Sequence, residues 1–180
     1  MSNSRLEQIT IVSVSYQSRA VIDAFAATLK SFPHVVLIDN GSKDGSAAEM
    51  QRCIPHARVI ARSDNIGFGA ANNQAMQQVQ TPFALLINPD CHIEPADLLT
   101  LLDTLQNDPD AGAVAPQSWR GDGEVQRCFR QAFFKMPRNR RPYEIAAGTC
   151  CADWLHGCCL LLRTEAFRRI GGFDENFLLY

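Results

Sequence analysis

Val35-Val36-Leu37-Ile38 runs straight into Asp39-Asn40-Gly41-Ser42-Lys43-Asp44-Gly45-Ser46. A short apolar run with no polar face reads as a strand covered on both sides, as in a parallel sheet. The Asn-Gly and Asp-Gly pairs after it are turn chemistry, and a short helix over 47–52 follows. Upstream, Ile9-Thr10-Ile11-Val12-Ser13-Val14-Ser15 is a β-branched strand, and Val21, Ile22, Phe25, Ala26 and Leu29 recur at helical spacing before Pro33. Downstream, Arg58-Val59-Ile60-Ala61 and residues 82–87 read as strands, with a helix over 69–79 between them. Pro95 opens a further helix with Leu98, Leu99, Leu101, Leu102 and Leu105 on its apolar face, and residues 112–116 form a fifth strand. Repeated β-α-β units with short links predict an α/β fold, an open and mostly parallel sheet with helices on both faces. Residues 117–150 lack a clean period and read as an irregular insertion within a single domain of 1–180. A strand ending near Leu162-Arg163 and a helix over 164–170, capped by Thr164, complete the pattern.

With 180 residues, 46% of them hydrophobic and 20% charged, the chain suits one globular domain. A net charge of −2 argues against a nucleic-acid partner held by overall positive charge. No apolar run approaches the ~18 residues of a membrane span, and the N-terminus lacks a signal-peptide core. An odd set of 7 cysteines predicts reduced thiols in a cytoplasmic protein. Cys150-Cys151 and Cys158-Cys159 flank His156 without C-x-x-C spacing, so they read as buried thiols rather than zinc ligands. Lys135, Arg138, Arg140 and Arg141 form a basic stretch without an acid, either a solvated loop or a peripheral contact with an anionic membrane surface.

Ligands of parallel α/β sheets lie beyond the carboxyl ends of the strands. Those exits read Ser15-Tyr16-Gln17, Asp39-Asn40-Gly41-Ser42, Asp64-Asn65-Ile66-Gly67-Phe68-Gly69 and Asn88-Pro89-Asp90. Each is polar or glycine-rich, which marks one edge of the sheet as a binding edge. The first strand is not followed by G-x-G-x-x-G, which argues against a dinucleotide fold. Gly67-Phe68-Gly69 follows a different strand, with Asn72 where the third glycine would stand, and a P-loop is absent.

These exits, in this order and spacing, resemble family 2 glycosyltransferases, most closely the rhamnosyltransferase-like branch that builds bacterial surface polysaccharides. The tail Gly157-Cys158-Cys159-Leu160-Leu161-Leu162-Arg163, with Gly171-Gly172-Phe173-Asp174-Glu175, shares the likeness. The resemblance implies the Rossmann-like GT-A fold and a nucleotide-diphosphate sugar donor, dTDP- or UDP-linked. It places Asp39 on the base or ribose, Ser15 and Tyr16 beside the base, and Asn65 and Gly67 around the pocket. Asp90 would hold Mg2+ or Mn2+ on the diphosphate. Asn88 stands where the family's D-x-D motif has its first carboxylate, so Asp90 would be the one carboxylate on the metal. Trp154, His156 and Gly157 would lie near the sugar and acceptor, a lipid-linked or growing glycan. The bland readings stay open: an Asx turn at Asp39, a strand-end aromatic at Tyr16, a helix-entry glycine at Gly67, a loop turn at Asp90, a structural histidine at His156. The resemblance puts the general base of an inverting transfer in an acidic cluster beyond Tyr180, with the acceptor-side C-terminal region, so the stretch around Phe173, Phe177 and Leu178 is expected to be disordered or self-associated. An inner-membrane-face location follows as an expectation. The alternative reading is a non-catalytic nucleotide-sugar-binding remnant.

Overall fold

β1 (Ile9–Ser15) lies inside a six-stranded sheet of order β3-β2-β1-β4-β8-β5. β2 (His34–Asp39) and β4 (Phe83–Ile87) flank it in parallel, and β3 (Arg58–Ala61) lies parallel outside β2. The computed structural model describes residues 2–126, 128–130, 148–152 and 154–178. The basic stretch of Lys135, Arg138, Arg140 and Arg141 falls outside them, as does Tyr180.

Alternation along the strands sorts the core into two layers. Ile9, Ile11, Leu37 and Leu85 pack with Leu6 of α1 (Ser2–Leu6), with Ile22, Phe25 and Leu29 of α2 (Ile22–Leu29), with Met50 of α3 (Ser46–Cys53) and with the leucines of α5 (Pro95–Asn107). Val12, Val36, Ile38 and Leu86 face the other way, against Ala71, Ala75 and Met76 of α4 (Phe68–Met76) and Phe167 of α6 (Thr164–Arg169). Helices therefore cover both faces, which is what an unbroken Val35–Ile38 run demands.

The structure departs from the sequence expectations where pairing is long-range. β5 (Ala113–Val114) does not extend the parallel series. β8 (Cys159–Arg163) enters between it and β4 and runs antiparallel to both. The 117–150 stretch is not wholly irregular: Trp119 bridges Val125, and β6 (Phe129–Arg130) pairs with β7 (Trp154–Leu155) in a separate small sheet. α1 carries too few residues for a helical period, and its anchors, buried Leu6 and an ion pair from Arg5 to Asp103, appear only on folding. Thr164 does not cap α6: Arg163 holds that position, and Thr164 Oγ1 is buried without a partner. Cys158 and Cys159 are buried as expected, but Cys150 and Cys151 are exposed, because no strand carries that pair into the sheet.

Arg163 closes the end of α5. Its guanidinium donates to the carbonyls of Leu105 at 2.5 Å, Ala111 at 3.0 Å and Asp108 at 3.2 Å, and lies 5.7 Å from the centre of the Phe83 ring. Helix C-termini leave carbonyls without partners, and a planar fork suits several at once. Arg163→Ala is expected to lower stability by about 1.5–3 kcal/mol, the range for hydrogen bonds to charged groups. Urea unfolding with an unchanged slope checks this, and Arg163→Lys should recover only part, since an ammonium lacks the fork.

Candidate functional site

β1 and β2 end level, with Ser15 in register with Asp39. Beyond them a cleft of about 570 Å³ opens, lined by Val14, Tyr16, Ser18, Asn40, Asn65, Phe68, Asn88, Asp90 and Leu178 among others. Val14 shares its strand face with Val12, so the cleft opens on the α4 side of the sheet. The structure thus brings together Tyr16, Asn65, Asn88 and Asp90 from the exits of separate strands.

Ser15 and Asp39 are not among the lining residues. Both are buried, at 0% and 2% exposure, on adjacent strands. Asp39 Oδ2 accepts from the Ser42 N–H at 3.0 Å, which is the Asx turn allowed by the sequence. Asp39 Oδ1 and Ser15 Oγ have no partner. Buried polar atoms in folded proteins are nearly always hydrogen-bonded, and these two share their lack of a partner with Ser13 Oγ, Arg62 Nε, Gln117 Oε1 and Thr164 Oγ1. Tyr16, next in the chain, is 52% exposed and lines the cleft.

Two side-chain systems shape the walls. The first holds the turn after β1. The backbone N–H groups of Gln17, Ser18 and Arg19 donate in succession to Ser42 Oγ at 2.8 Å, Ser46 Oγ at 3.0 Å and Asp44 Oδ2 at 3.0 Å. Gln17 sits at φ 53, a conformation that such a template supports. Asp44 Oδ1 also accepts from the Ser46 hydroxyl at 2.5 Å. That hydroxyl first, then the backbone N–H groups of Arg19 and Ser46, hold the Asp44 carboxyl below its ordinary 3.8.

The second system joins the exits of β2 and β3 through Asn40, which is buried. Its amide nitrogen donates to Asn65 Oδ1 at 2.9 Å and to the Gly67 carbonyl at 3.2 Å, and its Oδ1 accepts from the Ile66 N–H at 3.1 Å. Asn65 Oδ1 also accepts from the Gly67 N–H at 2.9 Å. Asn40, Asp44, Phe68 and Leu178 were not singled out from sequence. Asn-Gly and Asp-Gly signalled turns, but not that these side chains would span two loops.

Asn88 is fixed by its backbone: its N–H donates to the Cys158 carbonyl at 2.9 Å, and its carbonyl accepts from the Cys91 N–H at 3.0 Å. Asp90 projects from this turn and is exposed. Beside it the Cys91 thiol donates toward Cys158, which draws Cys158 down and pushes Cys91 up. Of the acceptor-side candidates, Trp154 meets the His156 ring edge-on at 5.8 Å, and His156 Nδ1 accepts from the Cys158 N–H at 3.3 Å. A Cβ on Gly157 would stand 3.5 Å from the Phe68 ring, so this segment runs beside the cleft without lining it.

A divalent cation fits the donor set at Asp90 if phosphate and water complete its shell. One carboxylate with an amide nearby is the sparse protein share that Mg2+ commonly takes at diphosphates. Among the described residues the group with metal-ligand spacing is elsewhere: Asp23, Glu49 and Cys53, between α2 and α3. Glu49 there is already paired with Arg52 at 2.6 Å and Arg19 at 2.7 Å, so its charge is answered by the protein.

The family model described as Glycosyl transferase family 2 matches residues 10–171. The chain is 28% identical to the N-acetylglucosaminyl-diphospho-decaprenol L-rhamnosyltransferase of Mycobacterium tuberculosis, over 96% of this chain and 66% of that protein. It is 24% identical to Rhamnosyltransferase WbbL of Escherichia coli, over 82% of this chain and 62% of that protein. The chain thus spans just under two thirds of these relatives' lengths. Among solved structures, a mannosyltransferase from Pyrobaculum calidifontis in complex with GDP-Man and Mn2+ superposes with a TM-score of 0.69 at 17% identity, covering 94% of this chain and 48% of that one. Staphylococcus aureus TarS with UDP gives 0.63 at 18% identity, over 94% of this chain and 51% of that one. Both show the GT-A fold.

The template after β1 has a pH signature. A carboxylate depressed by folding adds order that is fully present above its ordinary value and is lost as pH falls through the lower, folded one. The amide signal of Arg19 is expected to stay constant from neutral pH to about 3.8 and to change below it. Asp44→Ala should abolish that titration and speed amide exchange at Arg19, leaving exchange in β1 unchanged.

Proposed function

This chain belongs to glycosyl transferase family 2, and on that premise we propose that it holds a nucleotide-diphosphate sugar at the carboxyl edge of its sheet for transfer of a hexose, rhamnose in the first instance, to a lipid-linked or growing glycan. One observation carries the reading: a cleft at the carboxyl edge of the sheet gathers Tyr16, Asn65, Asn88 and Asp90 from separate strand exits, and the last residues of the two strands beneath it bury acceptors without a partner, Ser15 Oγ and Asp39 Oδ1. A nucleobase N–H or a ribose hydroxyl is the donor such an oxygen lacks, and Tyr16 offers the ring face on which a base stacks. Asn65 and Gly67 set the pocket's shape through the Asn40 bridge.

Asn88 is placed to donate to ribose or phosphate. Asp90 would hold Mg2+ or Mn2+, which neutralises charge building on the diphosphate leaving group. The names of the curated relatives, with their rhamnosyl transfer and a diphospho-decaprenol acceptor, support the sugar and acceptor class. The GDP-Man, Mn2+ and UDP of the structural neighbours support the donor class and the metal. Trp154, His156 and Gly157 stand on the side we assign to sugar and acceptor. Inversion at the anomeric carbon needs a base for the acceptor hydroxyl, a role this reading gives to none of the donor-side residues named here. Anionic vesicles carrying a lipid diphosphate, sedimented with the chain, test the cytoplasmic-face contact assigned to Lys135, Arg138, Arg140 and Arg141.

Calorimetry with UDP, dTDP and GDP, with and without Mn2+, tests the site. At least one nucleotide should bind, and Asp39→Ala should weaken it by about 1.5–3 kcal/mol, the range for a hydrogen bond to a charged group. Unchanged affinity in that variant, or no binding by the parent chain, rejects the reading. Asp90→Asn should remove most of the gain that Mn2+ brings, and a chelator should do the same to the parent. If chelation changes nothing, the metal assignment fails while the nucleotide site stands.

A further inference from the structure

Residues 171–178 cross the N-terminal turn of α4 as a strap. Asn73 grips it from the helix. Its amide nitrogen donates to the Phe173 carbonyl and to Glu175 Oε1, each at 2.9 Å, and its Oδ1 accepts from the Phe173 N–H at 2.9 Å. At the strap's far end the Leu178 carbonyl accepts from the Phe68 N–H at 3.0 Å. That amide lies in the first turn of α4, where no intrahelical partner exists, and Gly67 before it supplies no side-chain cap. The strap therefore caps the helix. Between the two anchors the Phe173 ring packs edge-on against Phe167 at 5.2 Å and tilted against Phe68 at 6.3 Å.

Glycines make the crossing possible. A Cβ on Gly67 would stand 3.0 Å from the Leu178 carbonyl oxygen, one on Gly69 3.2 Å from Phe173 Cβ, and one on Gly172 2.5 Å from Asn73 Oδ1. Gly67 and Gly172 also take φ of +88° and +82°, which side chains rarely adopt. The Gly67-Phe68-Gly69 pair that looks like part of a phosphate loop is thus a landing pad for a distant segment of the chain. Leu178, delivered by that docking, lines the same cleft as Phe68, Tyr16, Asn65 and Asp90.

We infer that the docked strap is a wall of the nucleotide cleft and that Asn73 is the positioning residue that latches it, so that nucleotide occupancy and strap docking stabilise each other. The inference rests on the cleft's being the nucleotide site. Coupling between two such events is reciprocal: whatever docking adds to nucleotide affinity, bound nucleotide adds to docking. Leu178 supplies apolar contact area beside Phe68 that exists only while the strap is down, and the Phe68 amide loses its acceptor when it lifts.

The experiment combines calorimetry with limited chymotrypsin digestion of the whole chain, using the nucleotide that binds, with Mn2+ present. Cleavage after Phe173 and Phe177 is followed by mass spectrometry. Saturating nucleotide is expected to slow that cleavage at least about five-fold, the low end of typical coupling between linked sites. Asn73→Ala and Gly172→Ala, which break the latch from opposite sides, should each weaken nucleotide binding by a similar factor and speed cleavage without nucleotide. Circular dichroism should show the sheet intact in both. Leu178→Ala should weaken binding but leave cleavage after Phe173 at the parent rate. Parent-like affinity in both latch variants, or cleavage indifferent to bound nucleotide, would overturn the coupling. Asn73→Ala digested no faster than the parent would overturn the latch alone. Absence of nucleotide binding by the parent would instead overturn the cleft assignment, and the wall with it.

Discussion

The parallel pairing of β1 with β2, in a register that sets Ser15 opposite Asp39, is the constraint on which the rest depends. Because both strands run the same way, their carboxyl ends open onto one edge, and the turns that follow them must share space. Pairing of β2 with β3 and of β1 with β4 extends that edge on both sides. Helices on both faces are then obligatory, since neither side of Val35–Ile38 has polar groups to meet water. The cleft is what remains between loops that the sheet forces together.

Loops crowded in this way must have their backbone groups answered without a ladder. The protein does this with short polar side chains. Ser42, Asp44 and Ser46 receive successive amides of the turn after β1, while Asn40 ties the exit of β2 to that of β3. Gly41 allows the second approach, since a Cβ there would lie 2.6 Å from the Asp64 backbone. Asn73 does the same for the segment that crosses α4. The Ser15 and Asp39 oxygens at the ends of β1 and β2 are left without a partner, as are Ser13 Oγ, Arg62 Nε, Gln117 Oε1 and Thr164 Oγ1.

The strap also changes the meaning of the glycine-rich stretch after β3. Its glycines Gly67 and Gly69 let residues 171–178 lie on the helix start. The strand exits and residues 171–178 are therefore parts of one structure. Of the apolar residues at this end, Phe173 is half-buried between Phe68 and Phe167, while Phe177 and Leu178 are exposed.

Local pattern was enough for the strands from β1 to β4 and the helices α2 to α5, because each carries a full period of apolar residues or a turn signal at its end. It was also enough to name the sheet edge on which the cleft opens, since strand exits are local features, and family likeness supplied the candidate roles there. The order β3-β2-β1-β4-β8-β5 was not legible in this way. Nothing near Cys159–Arg163 says that it will run antiparallel beside β4, because strand direction is set by a partner more than seventy residues away. The same holds for the split within the site. Tyr16 and Ser15 are neighbours in sequence, yet strand alternation sends one to the cleft and the other into the interior. Asn73, unremarkable as one polar residue on a helix, acquires its role only when a segment one hundred positions later folds back onto it. Composition and period determine which elements form; which side chains meet is decided by the sheet, whose pairings join residues that no local signal connects.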